Sequence, residues 1–229
     1  MSSENWSELL FQALESAPNP EKAPAMEAYM KHNFKYLGLP TPALVALAGP
    51  HLKAGSQLPG VNWGFVEAAW QKPYREAQYC ACSYLGRVSA RLTAADLPAL
   101  KRLVQTKSWW DSVDTLSGVI GSLVLRFPEL KQDMLAWSQD QDLWTRRAAI
   151  IHQLEYKKET DTLLLERIIL NNLGTREFFI NKAIGWSLRQ YSRTNPAWVA
   201  DFVRAHEPEL ANLSKKEARK YLPPESQAG

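Results

Sequence analysis

The sequence predicts an all-α protein, an α-solenoid of stacked helix pairs, on three observations. Apolar residues recur at three- and four-residue intervals along nearly the whole 229-residue chain, the spacing of a single buried helix face. The breaks between these runs are short and carry Pro, Gly, Asn or Asp, and no stretch shows the period-two alternation and β-branched enrichment of a strand. The helical segments pair about every 35–45 residues, a period typical of helical repeats. An irregular helical bundle is the alternative for the same pattern, because the repeats resemble one another weakly.

In chain order the segments fall at about 5–16, 19–37, 41–54, 61–70, 73–91, 95–106, 109–127, 128–138, 142–157, 161–173, 176–193, 196–205 and 214–221. "NPEKA", "TPALV", "KPYRE", "FPELK" and "TNPAW" each place a proline at or near a first helical turn, where its missing N–H is not needed. Helix pairs of this length joined by short turns read as HEAT- or armadillo-type repeats. No long low-complexity linker interrupts them, so a single domain over 1–229 is expected. Within it, 1–16 is an amino-terminal helix region and 222–229, with "PPESQAG", a frayed tail.

Composition narrows the function classes. No apolar run approaches the roughly 18–20 residues that span a bilayer, and the start lacks a basic-then-apolar leader. A cytosolic protein is therefore expected, without a membrane partner. Cys80 and Cys82, two apart, point away from each other on a helix, and the four histidines show no ligand spacing, so neither a disulfide nor a metal site is expected. The net charge of +3 and pI near 8.8 allow a polyanion partner without requiring one. Nine tryptophans raise the question of whether all of them are core.

Three segments carry faces that a simple core would not need. On 109–127, helical geometry gathers Trp109, Val113, Leu116, Ile120, Leu123 and Phe127 into a core stripe. Trp110 and Asp114 share its flank one turn apart, followed by the small Ser117 and Gly121, a shelf that something can approach closely. Asp111 falls on the far side as a first-turn acid, and Asp114 has that same bland reading open to it. On 176–193 the core face is Ile180, Ile184, Leu188 and Tyr191, and the opposite face bears Lys182, Trp186, Arg189 and Arg193. Three cations around a tryptophan suit a phosphate backbone with a flat sugar or base surface; a neighbouring repeat covering Trp186 is the other reading. On 142–157, Arg147 lies among Trp144, Ile150, Ile151 and Leu154. Its guanidinium needs an anion, either an internal carboxylate or a bound phosphate.

At their mutual spacings, "TKSWWDSVD", "RRAAIIHQLEYK" and "EFFINKAIGWSLRQYSRTNP" resemble the AlkD family of bacterial DNA alkylation-repair glycosylases. "NPEKAPAMEAYMKHNFKYLGLPTP" resembles that family's amino-terminal segment, so the likeness runs from about 17 to 220. The resemblance implies a HEAT-like α-solenoid whose concave basic face wraps double-stranded DNA containing alkylated purines. It implies hydrolysis of the N-glycosidic bond of cationic N3- and N7-alkylpurines, in base excision repair, by a monomer without metal or cofactor in the bacterial cytosol or nucleoid. Carried over by position, Trp110 and Trp186 are the cleft tryptophans at the lesion's deoxyribose and Asp114 the catalytic acid. Arg147 holds backbone phosphate and Arg189 is a further basic cleft residue, while Tyr29, Thr41 and Pro42 lie along the amino-terminal side of the DNA channel. Lys182 and Arg193 join the DNA-binding set on helix geometry.

Two departures stand out: "TPALVALAGP" lacks the basic residue that relatives often have after "TP", and Glu155 stands where a relative has lysine. The resemblance further implies that the base stays in the stack, with no deep pocket. A non-catalytic DNA-binding solenoid of the same family and a HEAT-type protein-interaction scaffold are the competing readings.

Overall fold

The computed structural model describes residues 5–222, so the tail expected at 222–229 lies outside the described residues from 223 onward. Among the described residues the regular structure is helical, with one isolated bridge between Lys35 and Tyr74. The chain forms two compact units, Met1–Leu92 and Thr93–Gly229.

The first unit holds α1 (Trp6–Glu15), α2 (Ala23–Tyr29), α3 (Thr41–Gln57), α4 (Trp63–Gln71) and α5 (Arg75–Val88). α3 packs between α1 and α5, and α4 packs on α5. Their core is aromatic: Trp6 meets Phe65 at 4.5 Å and Tyr84 at 5.4 Å between ring centres. Such pairs add to the burial of their large apolar surfaces. The helix expected over 19–37 is a correction, since only Ala23–Tyr29 is helical. Lys31 and His32 both take φ of 57°, a left-handed turn that ends the helix without a glycine or proline to announce it.

Beyond that turn the chain is pinned. Gly38 has φ +86°, and a Cβ there would lie 2.0 Å from the Asn19 carbonyl oxygen, so only glycine fits. The wholly buried Glu76 accepts hydrogen bonds from the backbone N–H of Leu37, Gly38 and Leu39 at 3.1, 2.9 and 3.1 Å. A buried carboxylate satisfied by three amides sets the lead-in to α3.

The second unit holds α6 (Leu97–Gln105), α7 (Trp110–Arg126), α8 (Lys131–Trp137), α9 (Leu143–Ile151), α10 (Thr162–Leu170), α11 (Phe178–Ser192), α12 (Pro196–Ala205) and α13 (Asn212–Ala218). Asp142, Asp161 and Asn195 cap α9, α10 and α12 by accepting from the N–H groups of Thr145, Leu164 and Trp198, the chemistry that starts a helix abruptly. α7, α9, α11 and α13 form a row of neighbours, and α6, α8, α10 and α12 pack behind them. Asp114 meets Arg147, Gly121 meets the His152 carbonyl, Ser187 donates to the Ile150 carbonyl and Ser214 to the Asn181 carbonyl. Sequence numbers rise together from Asp114–Arg147 to Gly121–His152 and from Phe179–Arg147 to Ser187–Ile150, so α7, α9 and α11 run parallel. Helix pairs stacked in this way make an α-solenoid.

The row is tight where its residues are small. A Cβ on Gly121 would lie 2.0 Å from the His152 carbonyl oxygen, and Tyr156 Oη donates to the Gly121 carbonyl at 2.6 Å. This corrects two expectations. The helix foreseen over 142–157 stops at Ile151, because residues 152–156 turn to seat against α7. The shelf of Ser117 and Gly121 is not open to a ligand, since α9 covers it and both residues are buried.

Candidate functional site

α7 begins with Trp109 as its N-cap, in extended backbone at φ −161°, so the indole leaves the helical stripe expected for it. It packs half-buried against Trp144 at 5.5 Å and Phe179 at 5.2 Å. That aromatic cluster joins the starts of α7, α9 and α11. Trp110, the first helical residue, is half-buried, and Asp114 follows one turn later on the same flank.

Of the two partners the sequence leaves open for Arg147, the structure supplies the carboxylate. Arg147 Nε donates to Asp114 Oδ1 at 2.8 Å and Nη2 to Oδ2 at 2.9 Å, a two-pronged pair, and Nη1 donates to the Phe179 carbonyl at 2.7 Å. One guanidinium thereby ties α7, α9 and α11 together near their amino-terminal ends. The Arg147 side chain is 4% exposed and that of Asp114 is 17% exposed, so the pair sits at the edge of water. Burial pushes the Asp114 pKa up; the hydrogen bonds and charge of Arg147 pull it back, and the balance stays above the ordinary aspartate value.

The outward face of α11 is corrected in its electrostatics. Trp186 is half-buried between the side packed on α9 and the side packed on α13. Two of the three cations around it are already paired: Lys182 Nζ reaches Glu217 Oε1 at 2.7 Å, and Arg189 Nη1 bonds Glu217 Oε2. Lys220 adds a third cation at 3.0 Å, while the Arg193 guanidinium lies 4.3 Å from the Tyr221 ring centre. Burial would raise the Glu217 pKa, but the bonds from Lys182 and Lys220 and the nearby charges outweigh it and hold it down at about 2. Glu217 was missed in the sequence because it stands inside the basic run "SKKEARKY", 28 residues or more from the cations of α11 that it serves. The only available signal was that Lys182 and Arg189, one above the other on a helix, call for an acid.

The remaining candidates lie in the first unit. Tyr29 ends α2 and is 70% exposed. Thr41 and Pro42 are the exposed first residues of α3, whose lead-in Glu76 fixes. Among the described residues no group of three His, Cys, Asp or Glu could hold a metal ion, and no helix is long and apolar enough to cross a membrane.

With this geometry in view, the chain matches the family model described as DNA alkylation repair enzyme over residues 10–222. It is also similar to the solved structure of a predicted DNA alkylation repair enzyme from Enterococcus faecalis. The two share 39% identity and a TM-score of 0.84, over 90% of this chain and 97% of the other. No curated protein matches the chain.

Proposed function

The chain belongs to the family of DNA alkylation repair enzymes, with a role in repairing alkylation damage, and from that premise we propose that it is a DNA glycosylase for cationic N3- and N7-alkylated purines in duplex DNA. The observation that carries this reading is the Asp114 carboxylate, held by both prongs of Arg147 one turn after Trp110. An alkyl group on purine N3 or N7 leaves the base positively charged. As the C1′–N bond breaks, its electron pair neutralises the base, which departs without needing a proton. The positive charge moves to the sugar, where a fixed carboxylate stabilises it. Water then bonds to C1′ and gives its proton to Asp114, leaving a free base and an abasic sugar.

The raised pKa of Asp114 suits a proton acceptor, and the faces of Trp110 and Trp186 favour a cationic sugar nearby. Arg147 holds the carboxylate in orientation and is assigned to meet a backbone phosphate through terminal N–H hydrogens not used by Asp114 or the Phe179 carbonyl. Lys182, Arg189, Arg193, Tyr29, Thr41 and Pro42 complete the proposed DNA contacts.

The test is release of free base from duplex DNA carrying N7-methylguanine. Wild-type protein is expected to release it well above the spontaneous rate, and Asp114→Asn to lose roughly 10²–10³-fold. No release by the wild type sinks the glycosylase reading; full activity in the variant removes the role given to Asp114.

A further inference from the structure

A second site opens on the far half of α11, where no step of the proposed reaction takes place. A cavity of about 260 Å³ lies between α9, the 153–160 segment, α10 and α11. Its buried surface is formed by Ile150 and Leu165, with the half-buried Leu154 and Tyr191 beside them. The two buried polar side chains are committed: Gln153 exchanges hydrogen bonds with the Asp161 backbone, and Ser187 donates to the Ile150 carbonyl.

The outer wall is different. The side chains of Lys157, Thr160, Gln190 and Thr194 line the same cavity and make no hydrogen bond or ion pair among the described residues. Arg193 also lines it, with its guanidinium over the Tyr221 ring and no acceptor among the described residues. No carboxylate lines the cavity. Asp161, next to Thr160, is turned toward Lys131 at 2.9 Å and caps α10. Lys157 stands at φ 53°, a left-handed conformation that lysine rarely adopts.

Two cationic residues and three neutral polar ones with donor hydrogens, lining one apolar pocket without an acid, suit a ligand with an anionic end and a small flat or apolar body. The volume is below that of drug-sized sites and limits the body to about one base and sugar. We propose that this cavity binds a single nucleoside monophosphate unit, its phosphate between Lys157 and Arg193 and its base against Leu154 and Tyr191. The unit is either a free nucleotide or an unpaired nucleotide of a DNA strand. The site shares Arg193 with the proposed DNA contacts but does not depend on the glycosylase reading, since it requires neither Asp114 nor a lesion.

Calorimetric titration of the full chain tests it, with deoxyadenosine 5′-monophosphate, deoxyadenosine and inorganic phosphate as probes. The monophosphate is expected to bind at least tenfold more tightly than either part. Lys157→Asn, which keeps a residue tolerant of positive φ, is expected to weaken it about tenfold or more, and Leu154→Trp to fill the cavity and abolish it. Unchanged melting temperature in Lys157→Asn separates loss of binding from loss of fold. A duplex with one unpaired extra nucleotide decides the source. A preference for it over the fully paired duplex, lost in Lys157→Asn, assigns a strand nucleotide; monophosphate binding without that preference assigns a free one. Neither binding nor preference, phosphate binding as tightly as the monophosphate, or indifference to Lys157→Asn overturns the proposal.

Discussion

Two carboxylates of the second unit are both largely buried, yet their surroundings drive them in opposite directions. Asp114 faces one guanidinium, and burial wins, so its pKa rises. Glu217 faces Lys182, Arg189 and Lys220, and the cations win, so its pKa falls to about 2. Burial acts on both, and the balance is struck against one cation at Asp114 and three at Glu217. One partner orients a carboxylate while leaving it ready to accept charge or a proton; three partners lock it as a clamp. The first arrangement suits chemistry and the second suits holding two helices and their side chains in place.

The largest stability effect should come from the row that positions both acids. Gly121→Ala drives a methyl group into the His152 carbonyl, whereas at Gly185 the added atom meets Glu217 Cβ at 2.7 Å and Ser214 Cα at 3.0 Å. Urea unfolding should show Gly121→Ala losing about 3 kcal/mol and Gly185→Ala less, about 1–2 kcal/mol. Equal losses would mean that α7–α9 packing is no tighter than α11–α13 packing.

The next effect separates the acids by pH. Glu217 has a depressed pKa, so its contribution to stability is present above the ordinary glutamate value and is lost as pH falls toward 2. That loss should be on the order of 2 kcal/mol, after allowance for solvent screening of the partly exposed lysines. Asp114 has a raised pKa and acts in the opposite sense, its contribution falling as pH rises through that value. Unfolding from pH 6 to pH 2.5 should therefore show a flatter acid limb in Glu217→Gln, and salt titrations should show its DNA affinity rising with a steeper slope as Lys182 and Arg189 are released. The smallest effect is on activity: Arg147→Lys keeps the charge but loses the fork, and the acid limb of base release should move up by a fraction of a pH unit to about one unit.

The helical pattern of this chain was legible because the apolar period recurs within each segment. Every segment contains a helix, and errors came where tertiary contact overrode local signals. Nothing local ends α2, since Lys31 and His32 turn left-handed in a stretch with no breaker residue. α9 stops short because its end seats on Gly121, a contact 31 residues away in sequence. At the site, helix geometry set Trp110 one turn before Asp114 from a single segment. It could not pair Arg147 with Asp114 or find Glu217, because such choices depend on which helices become neighbours.

The parallel order of the row has an electrostatic consequence. Asp114, Arg147 and Phe179 all lie within the first two turns of their helices, so the amino-terminal ends of α7, α9 and α11 stand close together at one edge. Each end carries a partial positive charge of about half a unit, and each also carries an acid: Asp111 in the first turn of α7, Asp142 capping α9 and Glu177 as the N-cap of α11. The helix dipoles and these acids offset one another, so the field at that edge is set by their local order and not by the net charge of +3.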